Sequence, residues 1–320
     1  MIRSIRQIER TITSKYCTNA NIYNRIFFQK SIMNQLSIGI ISYNEEKNIS
    51  NLLNSIKRQH LGKFHLKEII ISDDSQDDTP ILIKEFIKNK SQFVIRFFHH
   101  QERRGASAGW NEIFKEATGD YLVLYDADVI LEKQTTYNLV NEFTSEIGLC
   151  AGNPQPIEIS NIYGRASRFI STWLQNVRKL GITQFMVMGR GLAIRQGLAK
   201  EIIISENIIA IDYFLQVKVL ELEKKIIYVD NAKIYFKTPK NLEDFLSQVL
   251  RANLGHKQLS YLKTTKLSFV DNIRIIFKSF LSDPYGALAT LYCYFFIPYY
   301  KFRYKTKMSS KWDVATSTKG

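Results

Sequence analysis

Short apolar runs alternate with segments of helical periodicity over the first 125 residues, and this alternation restricts the possible fold more than any other feature. The apolar runs, such as LSIGIIS and YLVLY, are rich in β-branched and aromatic residues and are typical of buried strands. The predicted strands are residues 36–42, 67–72, 93–99 and 121–125, and the predicted helices are 46–59, 81–90 and 107–117. Strands that alternate with helices predict an α/β fold with a mostly parallel sheet and helices on both faces. In such sheets ligands bind beyond the carboxyl ends of the strands.

From about residue 150 the alternation is less regular. The patterns predict helices at 161–180, 212–223 and 241–262, and strands at 186–194 and 225–229. We therefore divide the chain into four parts. They are a basic extension (1–35), a first half (36–150), a second half (151–262), and a C-terminal helical segment with a basic tail (263–320), which we expect to associate with a membrane.

The net charge of +14 is concentrated at the two ends of the chain. Residues 1–36 hold six basic side chains and one acidic one, and residues 301–320 hold the same numbers. Such ends suit an anionic surface, either nucleic acid or a membrane leaflet, or are simply solvated. Because the core has no zinc-finger spacing, RNA-recognition signature or basic helix, we expect no nucleic-acid partner.

Residues 284–300 (PYGALATLYCYFFIPYY) are uncharged, rich in tyrosine and followed by Lys301 and Arg303. Seventeen residues are at the short limit for a membrane-spanning helix. Tyrosines with a basic flank favour an anchor at the membrane interface. The alternative is a buried helix in a soluble fold.

Three widely separated cysteines, Cys17, Cys150 and Cys293, argue against a disulfide framework or a zinc site. The N-terminus lacks the apolar stretch of a signal peptide. We therefore expect a cytoplasmic protein, peripheral or anchored at the inner face of the cell membrane.

Asp126 and Asp128 form an Asp-x-Asp pair directly after the apolar run YLVLY. At the carboxyl end of a strand, these carboxylates would point to the ligand-binding edge of the sheet. Hard oxygen ligands suit Mn²⁺ or Mg²⁺ bound to a diphosphate. The pair therefore predicts a metal-dependent nucleotide site.

Other loops at the same edge carry candidate ligands, each with a purely structural alternative. In SDDSQDDT (72–79), Asp73 is a candidate for a nucleobase contact, although the segment also suits a turn that caps the next helix. Arg103 and Arg104 precede small residues at a predicted helix start, where phosphate is favoured.

The second half offers a further set of candidates. Gly189 and Arg190 lie in a Gly-Arg-Gly segment that allows close approach to a ligand. Asp212 begins a helix as either an N-cap or a general base. Gln248 and Arg251, three residues apart on a helix, would face a diphosphate together or lie on a solvated face.

Taken in order, these motifs resemble those of family 2 glycosyltransferases, which have the GT-A fold. The segments are SYNEEKNI, SDDSQDDT, RRGASAGWN, ATGDYLVLYDADV, GRGLAIR and QVLR, within residues 36–255. The resemblance implies that 36–150 is the nucleotide-sugar-binding half and 151–262 the acceptor-binding and catalytic half. For the first half, it implies that Asp128 is the metal ligand and that the nucleotide is bound by Tyr43, Asn44, Glu45, Asp73, Arg104 and Asp126. For the second half, it implies that Asp212 is the general base of an inverting reaction and that diphosphate or acceptor is contacted by Gly189, Arg190, Gln248 and Arg251.

The chain also departs from this family's pattern. Ser72 and Ile211 stand where acidic residues are common, and Ala252 replaces the tryptophan of the Gln-x-x-Arg-Trp signature. The missing tryptophan argues for transfer of one or a few sugars rather than processive synthesis.

The implied function is transfer from a nucleoside-diphosphate sugar, expected to be a UDP-sugar, to the hydroxyl of a saccharide or lipid-linked acceptor in surface polysaccharide or glycolipid synthesis. One alternative is a polyprenyl-phosphate glycosyltransferase, and another is a non-catalytic membrane or nucleic-acid binding protein. A sugar nucleotidyltransferase is disfavoured because SYNEEKN is acidic and lacks glycine.

Overall fold

The computed structural model describes residues 35–89, 93–157, 159–182, 185–259, 267–303 and 318. The predicted basic extension thus lies outside the described residues except for Gln35, and most of the basic tail lies outside them too.

In the described part of the chain, eight strands form one sheet with the order β3-β2-β1-β4-β7-β6-β8-β5. The strands β1 to β4, which follow the predicted alternation, all pair in parallel. The strands are β1 (Gln35–Ser42), β2 (His65–Asp73), β3 (Val94–His99), β4 (Tyr121–Asp126), β5 (Val129–Leu131), β6 (Ile147–Ile157), β7 (Gly191–Arg195) and β8 (Lys225–Lys237).

Eleven helices lie within the described residues and cover both faces of the sheet. They are α1 (Ile49–Lys57), α2 (Thr79–Lys88), α3 (Ala106–Glu116), α4 (Thr135–Asn141), α5 (Ile162–Lys179), α6 (Gln196–Glu201), α7 (Ile211–Glu221), α8 (Leu242–Gln258), α9 (Phe269–Ser282), α10 (Pro284–Phe295) and α11 (Ile297–Arg303).

Strand β4 shows why this sequence needs helices on both faces. Val123 and Tyr125 belong to the core under α1, whereas Leu122 and Leu124 belong to the core under α3. Successive strand residues point to opposite faces, so a strand that is apolar at every position must be covered twice. The predicted α/β layering follows directly from this pattern.

The second half differs from the prediction in three places. The strand predicted at 186–194 begins only at Gly191, the one predicted at 225–229 continues to Lys237, and β6 was not predicted. Strand β7 runs antiparallel to both β4 and β6. Because residue 150 lies inside β6, the two predicted halves share one continuous sheet.

The C-terminal helices pack through small residues onto the rest of the fold. Ala289 and Cys293 of α10 pack against Ala166 of α5 and against Phe245 and Leu246 of α8. Among the described helices, none has the length and apolar character needed to cross a bilayer.

Candidate active site

A cleft of about 190 Å³ opens at the carboxyl ends of β1, β2 and β4. Its walls include the predicted residues Tyr43, Glu45, Asp126, Asp128, Arg190, Gln248 and Arg251, together with Asp74, Arg103 and Thr318. The loops after β1, β2 and β4 therefore converge as predicted from parallel-sheet geometry. We refer to this space as the donor cleft, after the nucleotide-sugar donor that the sequence predicts for it.

The loops after β1 and β3 place an aromatic ring and a cation side by side in the donor cleft. The guanidinium carbon of Arg103 lies 4.1 Å from the centre of the Tyr43 ring, a cation–π arrangement. Glu45 is buried and accepts a hydrogen bond from Asn48 Nδ2 at 2.8 Å. The carbonyl of Thr318 also accepts from Asn48 Nδ2, at 3.2 Å.

Asn44 holds two loops together. It has a left-handed backbone (φ 54°), donates its amide N–H to Ser75 Oγ, and accepts from the Gln76 amide at its Oδ1. Asn44 does not line the donor cleft. The structure thus gives it a part in shaping the nucleotide loop rather than in forming the cleft wall.

The two neighbouring aspartates at the carboxyl end of β2, Asp73 and Asp74, have side chains with different surroundings. Asp73 is fully buried, accepts from Ser42 Oγ at 2.6 Å, and lies 2.7 Å from His99 Nδ1. These partners follow from strand register, which pairs Ser42, Asp73 and His99 across β1, β2 and β3. The placement of Asp73 argues against its predicted nucleobase contact, because its carboxylate is turned into the sheet.

Asp74 is the carboxylate that lines the donor cleft. Its Oδ2 accepts from the backbone N–H groups of Arg104 and Gly105, at 2.7 and 2.9 Å, which fixes the loop before α3. Side-chain alternation at the end of a strand is the sequence signal that distinguishes it from Asp73.

Arg104 likewise turns away from the donor cleft. Its Nη2 donates to Glu112 Oε2 and Ser72 Oγ, both at 3.0 Å, and its Nε donates to Asp74 Oδ1 at 3.2 Å. Arg103 lines the cleft instead. The predicted nucleotide contact of Arg104 is thus disfavoured by its position, because Glu112 of α3 holds the Arg104 guanidinium outside the cleft wall.

Asp126 and Asp128 lie beside Arg190, as the motifs suggested. Arg190 Nη1 donates to Asp128 Oδ2 at 3.0 Å, and its guanidinium carbon lies 3.9 Å from the centre of the Phe236 ring. Arg190 has a positive φ of 76°, a backbone conformation that residues other than glycine seldom adopt. Strain of this kind is retained where the surrounding structure requires a particular side-chain direction.

Negative charge accumulates around Asp126. Burial, followed by repulsion from the neighbouring carboxylates Asp128 and Asp212, raises the pKa of Asp126 to about 7 against the opposing effect of Arg190 and Arg251. Burial also lowers the pKa of Arg251. A bound cation would favour the ionised form of these carboxylates.

A second cavity of about 270 Å³ adjoins the donor cleft and contains Asp212 in its wall. Both spaces share Asp126, Arg190, Gln248 and Arg251, whereas Asp212 borders only the second. Much of this second wall is apolar, including Trp110, Met188, Leu192, Ile209 and Leu215. We refer to it as the acceptor cavity, after the acceptor binding predicted for the half of the chain that contains Asp212.

Asp212 is held at the first turn of α7 by the Gly-Arg-Gly segment. Its Oδ2 accepts from the Gly189 N–H at 2.7 Å. A methyl group added at Gly189 would lie 3.6 Å from Asp212 Oδ2 and 3.9 Å from Asp126 Oδ2. The two carboxylates therefore border the same gap, which a side chain at position 189 would begin to fill.

The family profile described as "Glycosyl transferase family 2" matches residues 37–203, slightly more than half of the chain. The chain belongs to this family. The predicted resemblance to this family is confirmed.

Relatives in this family include two synthases of staphylococci. The chain is 34% identical over 126 residues to poly-beta-1,6-N-acetyl-D-glucosamine synthase of Staphylococcus aureus (strain COL). The matched region covers 38% of this chain and 29% of the relative. It is 28% identical over 148 residues to the synthase of the same name from Staphylococcus epidermidis, covering 45% and 35%. The chain thus matches about a third of the length of these curated relatives.

Solved structures share the fold at low sequence identity. A mannosyltransferase, PcManGT from Pyrobaculum calidifontis in complex with GDP-Man and Mn²⁺, has a TM-score of 0.57 at 16% identity, covering 81% of this chain and 73% of that chain. S. aureus TarS 1–349 in complex with UDP has a TM-score of 0.50 at 18% identity, covering 77% and 70%. The predicted GT-A architecture is confirmed.

Proposed function

We propose that this protein transfers a sugar from a nucleoside-diphosphate sugar to an acceptor hydroxyl with inversion of configuration, and that the nucleotide is UDP. The observation that carries the proposal is the junction of the two cavities. Asp126, Arg190, Gln248 and Arg251 border both, while Asp212 borders only the acceptor cavity. Such a junction is where a sugar would pass from donor to acceptor.

The donor cleft suits a nucleoside diphosphate. Tyr43 provides a ring and Asp74 a hydrogen-bond acceptor for the base, while Arg103, Arg190 and Arg251 provide positive charge for the two phosphates. The solved UDP complex of a protein with the same fold is consistent with UDP as the nucleotide.

A divalent cation, Mn²⁺ or Mg²⁺, fits the Asp126–Asp128 pair. The two carboxylates offer hard oxygen ligands. Burial and repulsion between neighbouring carboxylates raise the pKa of Asp126 to about 7, and a cation would oppose this effect. Within the described residues, no group of three or more His, Cys, Asp or Glu side chains is arranged to hold a metal unaided. Asp128 would hold the ion, which would supply positive charge against the departing UDP.

Asp212 would act as the general base. Its carboxylate accepts the proton of the acceptor hydroxyl as that oxygen forms a bond to the anomeric carbon, and the bond between that carbon and the diphosphate oxygen breaks. The Gly189 N–H orients the Asp212 carboxylate, and Arg190 and Arg251, which line both cavities, would hold the leaving diphosphate. The relatives' names suggest a saccharide acceptor in polysaccharide synthesis, and a lipid-linked acceptor is the other form we consider.

Calorimetric titration with UDP tests the donor site. We expect binding with Mn²⁺, and at least tenfold weaker binding without Mn²⁺ or in Asp128→Ala with Mn²⁺. Asp120→Ala, which removes a carboxylate that caps the amino end of β1, serves as the control for loss of an aspartate. Binding of GDP in preference to UDP would show that the nucleotide of the donor is GDP. Failure to bind either nucleotide would overturn the proposed function.

A further inference from the structure

The three C-terminal helices leave a large apolar surface uncovered. Of the 21 large apolar and aromatic side chains that are exposed in the described residues, 15 lie on α9, α10 and α11. Phe277 is 61% exposed, Leu281 66% and Leu291 66%. Monomeric soluble proteins seldom expose contiguous apolar patches of this kind without a binding partner. We call the outer side of these three helices the C-terminal apolar face.

The inner side of the same helices is firmly packed, so the exposure does not come from loose attachment. Ala289 and Cys293 are buried against α5 and α8, and Arg168 of α5 pairs with Asp283 at the start of α10 at 3.0 Å. In α9, only Ile275 and Ser279 are buried. A helix with one narrow buried stripe and apolar side chains around most of its circumference requires a second covering surface.

Charge indicates what that covering surface is. Arg274 and Lys278 lie exposed on α9, and Lys301 lies exposed on α11. The acidic residues of the described C-terminal helices are Asp271, which bonds to Ser268 at the start of α9, and Asp283, which pairs with Arg168. The exposed charge is therefore positive and is interspersed among apolar and tyrosine side chains. This combination suits the headgroup region of an anionic bilayer.

A second copy of the chain fits this face less well. A two-fold interface brings the same patch of each subunit together, so Arg274 and Lys278 would meet a surface that is also positively charged. Desolvated like charges oppose association.

We propose that the C-terminal apolar face docks on an anionic phospholipid surface, lying in the interface without crossing it. Helix α8 links this face to the active site, because Phe245 and Leu246 pack under α10 while Gln248 and Arg251 line both cavities. Docking therefore sets the position of the cavities relative to the membrane. The proposal assigns the membrane contact predicted for 263–320 to the outer side of α9, α10 and α11, and makes the lipid surface an anionic one.

Flotation with vesicles tests the proposal on the full chain. The probes are vesicles of phosphatidylcholine alone and of phosphatidylcholine with 30 mol% phosphatidylglycerol (about that fraction gives a leaflet of physiological charge). We expect binding to the anionic vesicles, a partition coefficient at least tenfold lower in Phe277→Ser/Leu291→Ser, and a several-fold loss in Arg274→Gln/Lys278→Gln. The matched control is Ile203→Ser/Val94→Ser, whose side chains are 82% and 63% exposed elsewhere.

The affinity for UDP and Mn²⁺, measured without vesicles, should be the same in all four proteins, which confirms folding and keeps this test separate from that of the proposed function. Absence of flotation by the wild type would overturn the proposal. So would an equal loss in the control, or a wild-type dimer that becomes monomeric in Phe277→Ser/Leu291→Ser, since the face would then bind a second copy.

Discussion

At the scale of single residues, the site is defined by which of two neighbours faces the cavity. Asp74 and Arg103 line the donor cleft, whereas Asp73 and Arg104 are held by Ser42, His99, Ser72 and Glu112. The residues that turn away are as polar as those that face the cleft. Their hydrogen bonds fix the positions of the strand ends and loops that form the cleft wall.

Asp212→Asn should separate chemistry from binding. Asparagine keeps an oxygen that can accept from the Gly189 N–H but cannot take a proton, so we expect kcat to fall by about 10²- to 10⁴-fold with less than a threefold change in UDP affinity. Steady-state kinetics and calorimetry measure the two quantities. Glu146→Gln, on an exposed ion pair with Lys225, is the control. Undiminished turnover in Asp212→Asn would reject the general base and point to an acceptor that is already ionised, such as a phosphate.

Glu112→Gln should destabilise the protein in a pH-dependent way. Burial raises the pKa of Glu112, but hydrogen bonds from Arg104, Ser72 and His100 outweigh burial and hold it below its usual value. A carboxyl whose pKa is lower in the folded state stabilises that state above its unfolded pKa, and the contribution is lost as the pH falls through the folded pKa.

We therefore expect Glu112→Gln to lower the free energy of unfolding by about 1–3 kcal/mol at pH 7, and by less below the unfolded pKa of 4.5. Urea unfolding at pH 7 and at pH 4 measures both differences. Glu221→Gln removes an exposed pair with Lys218 and should have little effect at either pH. A loss that is equal at both pH values would show that the charge of Glu112 is unimportant.

At the scale of elements, α7 and α8 must approach closely for the two cavities to meet. A Cβ atom at Gly255 of α8 would lie 2.3 Å from Ala210 Cβ and 3.0 Å from Ala210 N. Ala210 directly precedes α7, which carries Asp212. The spacing of Asp212 from Gln248 and Arg251 thus depends on the absence of a side chain at position 255.

Gly255→Ala should push these helices apart. We expect a loss of about 1–3 kcal/mol in stability and a larger fall in kcat than in UDP affinity, measured by urea unfolding and kinetics. Gly197→Ala, in α6 with nothing within 4 Å of the added methyl, should be neutral or stabilising. Equal effects of the two substitutions would exclude the packing explanation.

At the scale of the whole molecule, the sheet joins the halves that sequence analysis divided. Strands β7 and β6 of the second half continue from β4 of the first, and the core under α3 contains Leu122 and Leu124 beside Leu215 and Val217 of α7. The donor and acceptor sides of the site therefore rest on one structural unit.

We expect residues 36–262 to unfold in a single cooperative transition. Scanning calorimetry of the full chain should give equal calorimetric and van't Hoff enthalpies for the sheet. UDP with Mn²⁺ should move that transition upward as a whole, because a ligand that binds only the folded state stabilises all of it. Two separate transitions, of which the nucleotide moves only one, would favour independent halves.

Sequence by itself determined the parallel half of the sheet, the family, and the loops that carry the site. These depend on local order: an apolar strand such as YLVLY must be buried on both faces, and the carboxyl ends of parallel strands must meet at one edge. That reasoning located Asp126 and Asp128, whereas the family resemblance added Arg190, Asp212, Gln248 and Arg251, all of which lie in the walls of the two cavities.

Only the tertiary structure decided the direction of individual side chains and the pairing of the second half. Asp73 and Asp74 are identical in kind, and strand register across β1, β2 and β3 turned one inward. The antiparallel insertion of β7 and the apolar exposure of α9 depend on contacts between residues far apart in the chain. Periodicity shows which residues share a face of a helix or strand. The element that covers that face is determined by contacts between residues far apart in the chain.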